Sequence, residues 1–380
     1  MNGKAVSGMV LTLLLIGMLT SAFNIQPVKA ESTPINLLID EGHSEWLVSG
    51  NAQTLIQALE DNGYVVDTFS GTLTQSLLST YCVLVIGTAW GSFAQSEIQA
   101  IEDFVKSGGG LWLTGLGWSW VDYHPGSTLE DYPMNKIAQR FGAFFNPDII
   151  FDPTDYTSGP ASAIFHSPFI ESHPVTQGVM RIGATGALHG SISIQTGTIL
   201  ITGDGDSYGG YHESPYPNPG SHPPNCAAIR YGSGKVIVIS EEGFFVDNHV
   251  DEYDNKRLGL NIIDWLGAPV VPATVDIDPD TANLKSMGKW ITAYIRVPED
   301  YDVNDVDIST VKLNGEIPAE LHPTEIGDYD ADGIADLMVK FKRQDLMAIL
   351  SVGEATLTIT GEVDDTYFEG SDTIRVNNPH

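Results

Sequence analysis

Asp328-Tyr-Asp330-Ala-Asp332-Gly333-Ile-Ala-Asp336 carries the most specific chemistry in this sequence. Carboxylates at the first, third, fifth and ninth positions, with glycine at the sixth, match the first part of a calcium loop. There, alternate residues of a tight turn deliver several hard oxygen ligands to one ion. The twelfth position is Val339, so the bidentate glutamate of an EF-hand is missing. Leu337 to Phe341 reads as a strand rather than an exit helix. The expectation is a structural calcium site of Asp328, Asp330, Asp332 and Asp336, set against a solvated acidic turn.

A second set of reactive side chains follows apolar runs: Glu41 and His43, Trp90, Trp118 and Trp120, Asp204 and Asp206, and Glu241 and Glu242. If those runs are strands of a doubly wound sheet, their carboxyl ends share one rim. Indole faces there would stack on sugar rings while carboxylates accept hydroxyl hydrogen bonds, which makes a cleft for a glycan or other polymer. The competing reading packs the tryptophans as plugs, most of all Trp90 near a strand edge. Glu41 with Asp204 or Glu241 would instead form an acid–base pair of glycosidase type, and His43, Asp204 and Asp206 could hold a catalytic metal. No spacing enforces either arrangement. His43, His173 and His212 are scattered, and His124, His166 and His189 read as loop caps.

The elements that must position these residues are clearest around Phe104 to Trp120. Ile98, Ile101 and Val105 share a helix face, Ser96 with Gln99 has capping-box spacing, and Gly108 to Gly110 stop the helix. Leu111 to Thr114 is a short apolar run suited to a strand covered on both faces. Gly115 and Gly117 then turn the chain sharply, and a long aromatic loop exposing Trp118, Trp120, Tyr123 and His124 is expected up to Tyr132-Pro-Met-Asn135. Upstream, Ile35 to Asp40, Tyr64 to Thr68 and Cys82 to Gly87 read as strands. Asn51 to Asn62 reads as a helix with Leu55, Ile56 and Leu59 inward. This βαβα order implies a parallel sheet with right-handed crossovers. Thr198 to Thr202 is a further strand, followed by an excursion to Pro224. Cys226 to Tyr231 and Lys235 to Ser240 form a tight pair about Gly232-Ser-Gly234. Asp254 to Leu266 closes the unit as a helix, and Pro269-Val-Val-Pro272 is a stiff linker. Beyond it, short alternating strands with an Asn314-Gly315 turn predict an immunoglobulin-like β-sandwich. The organisation is therefore a signal peptide over 1–30, an α/β domain over 31–268, a linker over 269–273 and a β-sandwich over 274–380.

The first 30 residues have the layout of a secretory leader: Lys4, an apolar run from Met9 to Met18, and Val28-Lys-Ala30 before the cut. A retained anchor is the alternative. The chain holds 49 acidic against 18 basic residues, a net charge of −31. Losing the leader removes only Lys4 and Lys29 among the charges. Nucleic acid and anionic membrane would be repelled. Two cysteines in so long a secreted chain make no disulfide scaffold. Cys82 and Cys226 read as buried free thiols, with a bridge between them as the alternative.

Four stretches resemble the class I glutamine-amidotransferase-like (flavodoxin-like) superfamily. They are the first strand with Asp40-Glu-Gly-His43, Gly108-Gly-Gly-Leu-Trp-Leu-Thr-Gly115, His173-Pro-Val-Thr-Gln-Gly178, and Tyr231-Gly-Ser-Gly-Lys-Val-Ile-Val-Ile239 with Asp254-Asn255 through Trp265-Leu266. Gly117-Trp-Ser-Trp120 with Tyr132-Pro-Met-Asn135 is also similar to the domain that accompanies enhancin-like metalloproteases and TRP-channel-associated factors. Catalytic relatives place a cysteine in the strand-to-helix elbow; here that turn reads Thr114-Gly-Leu-Gly-Trp118, without a nucleophile, and no His-Glu-x-x-His occurs. The C-terminal part resembles calcium-binding β-sandwich modules of large secreted proteins. Together these imply a secreted or cell-surface, non-catalytic protein that recognises extracellular glycan or protein, or serves in a surface layer or matrix. The alternative is an extracellular hydrolase acting on carbohydrate or cell-wall polymer through the strand-end acids.

Overall fold

The computed structural model describes residues 35–286, 288–364 and 366–378; the leader expected over 1–30 lies outside the described residues. Strand β1 (Asn36–Asp40), helix α1 (Gln53–Asp61), β2 (Val65–Phe69), the short helix α2 (Gln75–Leu78), β3 (Val83–Ile86), α3 (Gln95–Lys106) and β4 (Gly110–Thr114) alternate in the anticipated order. Helices α4 (Gly117–Tyr123) and α5 (Pro133–Ala138) follow at once. Then come short strands: β5 (Ala143–Phe145), β6 (Ile149–Phe151), β7 (Phe165–His166), β8 (Arg181–Ile182) and β9 (Ile192–Ile194). The chain returns with β10 (Thr198–Thr202), β11 (Tyr208–Gly210), β12 (Pro224–Tyr231), β13 (Gly234–Ile239) and helix α6 (Asn255–Gly267).

The main sheet has the order β10-β12-β13-β4-β3-β1-β2. From β13 to β2 every pair is parallel, whereas β12 runs against both its neighbours. The sheet is therefore mixed, and mostly parallel, as a doubly wound α/β unit with one tight strand pair implies. The tight turn at Gly232-Ser233, where Gly232 has φ +58, dictates this, because a short link can join only antiparallel neighbours. Strand parity divides the interior. Leu37, Ile39, Val83, Val85, Trp112, Ile237 and Ile239 face α1 and α6, while Leu38, Leu84, Ile86, Leu111, Leu113, Val236 and Val238 face α3 and α5.

Helix α3 begins two residues earlier than the Ser96–Gln99 spacing implied. Its N-cap is Ala94, and the carboxylate of Glu97 accepts the Ala94 N–H at 2.8 Å. A glutamate at the third helical position satisfies an N-cap donor whatever the cap's own side chain. Among the described residues no helix is long and apolar enough to cross a membrane. Cys82 and Cys226 are both unpaired, Cys226 buried and Cys82 only partly so.

The expected linker is itself a strand. β14 (Val271–Pro272) lies parallel to β23 (Thr366–Asn377), and the Ala273 N–H reaches the Glu369 carbonyl at 2.8 Å. Between them run β15 (Thr274–Asp278), β16 (Thr281–Asn283), β17 (Trp290–Arg296), β18 (Val306–Leu313), β19 (Ile317–Pro318), β20 (Glu325–Gly327), β21 (Asp336–Lys342), helix α7 (Arg343–Ile349) and β22 (Gly353–Val363). One sheet has the order β14-β23-β22-β18-β19 with β16 also on β23; the other is β15-β17-β21-β20. Ile277, Ile291, Ile295 and Phe341 from the second sheet share one buried cluster with Val311, Leu357, Phe368 and Ile374 from the first. The two parts of the chain meet where the Arg230 guanidinium lies 3.2 Å from the Tyr367 ring centre. Beside it, Lys235 Nζ donates to the Trp265 and Ala268 carbonyls at the end of α6, both at 2.8 Å.

Candidate functional site

β10, β13, β4, β3 and β1 run in one direction, so the residues expected on a common rim do follow strand ends on one side of the sheet. They do not form one cleft. β1 and β10 are five strand steps apart, roughly 24 Å at about 4.8 Å a step. The rim breaks into separate neighbourhoods, and the proposed pairing of Glu41 with Asp204 is out of reach.

At β1, His43 Nδ1 lies 3.1 and 3.2 Å from the two oxygens of buried Asp40, and its Nε2 is 3.6 Å from Glu97. Its ring stacks on Phe93 at 4.0 Å. The hydrogen bond with Asp40 leads the causes that raise the imidazole pKa, and burial opposes it. Glu41 turns away and accepts the Ser49 N–H at 2.8 Å. His43 is thus a clamp between carboxylates of β1 and α3, far from Asp204 and Asp206.

At the centre of the rim the acids are interior groups. Glu242 Oε2 accepts from the Thr88 hydroxyl at 2.6 Å, and Thr114 Oγ1 accepts the Thr88 N–H at 3.0 Å. Burial, reinforced by the charge of Glu241, pushes the Glu242 acid up to about 8. Glu241 meets His189 Nδ1 at 3.0 Å, and His189, fully buried, stacks on Phe244. The expectation of Glu241 and Glu242 as ligand-facing groups is therefore corrected: the second and third positions after β13 are buried and meet His189 and Thr88 instead of solvent.

The aromatic loop is also corrected. Gly117 to Tyr123 is helix α4, and a Cβ on Gly117 would lie 2.2 Å from the Asn146 carbonyl oxygen. No side chain of any kind fits at that bend. Trp120 is buried, stacked on His124 at 3.7 Å and on Tyr132 at 5.3 Å, with its indole N–H on the Thr128 carbonyl. Trp118 is half-buried and donates to the Leu188 carbonyl at 3.0 Å. Trp90 packs against Tyr123 and His124. The tryptophans are mainly plugs, and tyrosines supply the open face: Tyr123 is 64% and Tyr211 60% exposed. Asp122 of α4 braces this ledge, accepting from the Tyr211 hydroxyl and pairing with His212 Nε2, both at 2.8 Å. Tyr211 and His212 arrive from the excursion after β10. Nothing in its Pro- and Gly-rich spacing says where such a loop folds back, so their partnership with Asp122 was not readable. Neither cysteine is at the bend. Cys226 sits in the core on β12 with its thiol raised by burial alone, and Cys82 precedes β3 at the opposite end.

Asp204 and Asp206 gather with Asp152, Asp155 and His166, a neighbourhood of their own. In the C-terminal part, Asp328, Asp330 and Asp332 lie close enough to share one ion. Their oxygens also accept the N–H groups of Asp332 and Gly333. Arg296 bonds to Asp330 and Asp332 and lies 3.4 Å from Asp336. Asp336 is buried, accepts the Tyr329 N–H and stands outside the trio. The oxygen donors suit calcium, with a guanidinium from the protein competing for them. Two surface cavities, about 430 and 500 Å³, lie away from the rim, one by Phe144 and Gln195, the other by Tyr253 and Arg257.

These features define a mixed α/β sheet whose rim is sealed at its centre and carries an aromatic ledge to one side, joined to a two-sheet β part. The family model TCAF_N, described as TRPM8, N-terminal domain, matches residues 37–151, from β1 through β6. A TRPM8 channel-associated factor homolog of Danio rerio is 24% identical over 186 residues, covering 45% of this chain and 18% of the relative. A homolog of the same name in Xenopus laevis is 38% identical over 66 residues, 17% of this chain and 6% of the relative. The match thus spans less than a fifth of the length of these relatives. Among solved structures, the mmIFT52 N-terminal domain has a TM-score of 0.48 at 15% identity, covering 61% of this chain and 96% of that one. A ThuA-like protein from Parabacteroides merdae has a TM-score of 0.38 at 15% identity, covering 62% and 90%.

Proposed function

We propose that this protein is a non-catalytic binding protein whose α4 ledge docks a protein partner. The observation that carries the reading is the pair of exposed tyrosines, Tyr123 and Tyr211, with Asp122 holding the second in place. Rigid, amphipathic rings held by a charged neighbour are the side chains that anchor interfaces. Relatives named for association with a channel support a protein rather than the glycan also expected. The acids of the hydrolase alternative, Glu41, Asp204 and Glu241, already accept donors of the fold, which weakens that alternative. Secretion, the amidotransferase-like ancestry of residues 31–268, the immunoglobulin type of residues 274–380 and a structural calcium at Asp328, Asp330 and Asp332 belong to the same proposal. Cross-linking mass spectrometry of the mature protein in its native extract, beside a glycan array, tests it. Cross-links from the α4 face that vanish in Tyr123→Ala/Tyr211→Ala are expected; array binding lost in the same variant would replace the protein partner with a glycan. Partner cross-links that survive the double variant would overturn the ledge as the docking face. For the calcium, a rise in melting temperature on adding the ion, lost in Asp328→Asn, is expected; no rise would remove it.

A further inference from the structure

Asp152 and Asp155 follow β6, His166 ends β7, and Asp204 and Asp206 follow β10. Two overlapping trios result: Asp155, His166 and Asp204, and Asp152, Asp204 and Asp206, each with ligand atoms within 4.8 Å of one another. Asp204 belongs to both. We infer that this cluster binds a divalent transition-metal ion of the zinc or manganese class, with His166 Nε2, Asp155 and Asp204 as its core ligands.

Two independent observations point to a cation ligand. The first concerns the imidazole. His166 Nδ1 lies 2.9 Å from the Ser167 carbonyl. A carbonyl can only accept, so Nδ1 carries the proton, and in the neutral ring Nε2 offers a lone pair. That Nε2 is buried and has no hydrogen-bond partner. It faces Asp155 Oδ2 at 3.4 Å and Asp204 Oδ2 at 3.7 Å. Such separations are long for hydrogen bonds but suit neighbours around one ion, since tetrahedral ligands at metal distances of about 2.1 Å stand roughly 3.4 Å apart. A backbone carbonyl holding the far nitrogen is also the usual support of a metal-ligating histidine.

The second observation is negative charge gathered without a basic side chain to offset it. Asp152 is fully buried. Its Oδ2 and Asp204 Oδ1 both lean on the Ser207 hydroxyl, at 3.2 and 2.9 Å, and a hydroxyl has one hydrogen to give. Asp152 Oδ1 and Asp206 Oδ1 likewise share the Thr154 hydroxyl, at 3.4 and 3.2 Å. No lysine or arginine among the described residues forms an ion pair with any of the four carboxylates. Backbone N–H groups of Thr154 and Asp155 donate to Asp152 Oδ1, at 2.9 and 2.7 Å, and that of Asp206 to Asp204 Oδ1, at 3.1 Å. These oxygens are bonded, but their charge has no lysine or arginine to offset it, which is costly for buried Asp152 unless a cation joins the cluster. Imidazole nitrogen beside carboxylate oxygen favours zinc or manganese over calcium or magnesium, which separates this cluster from the all-oxygen turn at Asp328.

The test uses the full chain, stripped with a chelator and titrated with zinc chloride or manganese chloride by calorimetry, with melting followed in parallel. Saturable binding and a raised melting temperature are expected in the wild type and in Asp330→Asn/Asp332→Asn. Affinity should fall by more than about tenfold in His166→Ala and Asp204→Asn, at least the loss that a mere supporting residue produces. Without metal, the isosteric Asp204→Asn should melt no lower than the wild type, because it removes one of the crowded charges, so its loss of binding cannot be ascribed to misfolding. Nitrogen NMR of His166 supplies the second readout, with Nε2 shifting on zinc addition. No saturable binding, equal binding in both variants, or a His166 ring that stays doubly protonated and unmoved by zinc would overturn the site in favour of a plain imidazolium ion pair.

Discussion

Glu242 is the acid whose environment has the clearest consequence. Its folded-state pKa, raised to about 8, lies above that of a glutamate in an unfolded chain, about 4.3. The folded state therefore holds a proton that the unfolded state releases, and stability should decline as pH rises from about 4.5 to about 8. Glu242→Gln keeps an acceptor for Thr88 without the charge. It should leave melting near pH 4.5 almost unchanged and stabilise at pH 8, on the order of 2 kcal/mol, as paired thermal melts would register. His43 has the opposite sign. Its raised pKa means its clamp on Asp40 and Glu97 is fully present below about pH 6.5 and is lost as pH climbs through the higher folded value. His43→Asn should thus cost about 1–2 kcal/mol at pH 5.5 and less at pH 9, measured by urea unfolding at the two pH values. Neither behaviour could be read from the chain. Glu41, His43, Glu241 and Glu242 were correctly assigned to strand ends, but whether a strand-end acid meets water or a threonine depends on residues such as Thr88 and His189, far away in sequence.

Among the elements, long periodic ones were legible and short ones were not. The helices α1, α3 and α6 declared themselves through apolar stripes, and β3, β4 and β13 through unbroken apolar runs, because burial on both faces leaves no room for polar residues. Helix α4 was hidden: Gly-Trp-Ser-Trp has neither a cap nor a stripe, and the helix starts where the Asn146 backbone packs against Gly117, a contact distant in sequence. That contact yields a sharp expectation. Gly117→Ala should destabilise by about 3 kcal/mol or more, since backbone on both sides must move, whereas Gly50→Ala, with open space around it, should stay within about 0.5 kcal/mol. Denaturant midpoints for the two variants would check it. The two- and three-residue strands between β5 and β11 are likewise held by buried side chains, Asn135, Asp148 and Asp152, and such pairings leave no periodic trace.

At the scale of the whole molecule, the change of composition near residue 269 was readable, and the docking of the segment that follows it was not. Val271 and Pro272 pair with Phe368 and Glu369, close to where Arg230 covers Tyr367. Burial lowers the Arg230 pKa, so the ring beneath it matters more than an exposed one would. Tyr367→Leu should cost on the order of 2 kcal/mol and broaden or split the calorimetric transition, the C-terminal part melting first; a single undisturbed peak would contradict this. The parallel course of β14 and β23 also has a mechanical corollary. If the α/β part is held while the chain beyond β23 is pulled, the two strands are drawn in opposite directions along their length, and their backbone bonds are loaded together in shear instead of being unzipped one by one. The junction would resist tension along the chain far better than a free tether of the same residues.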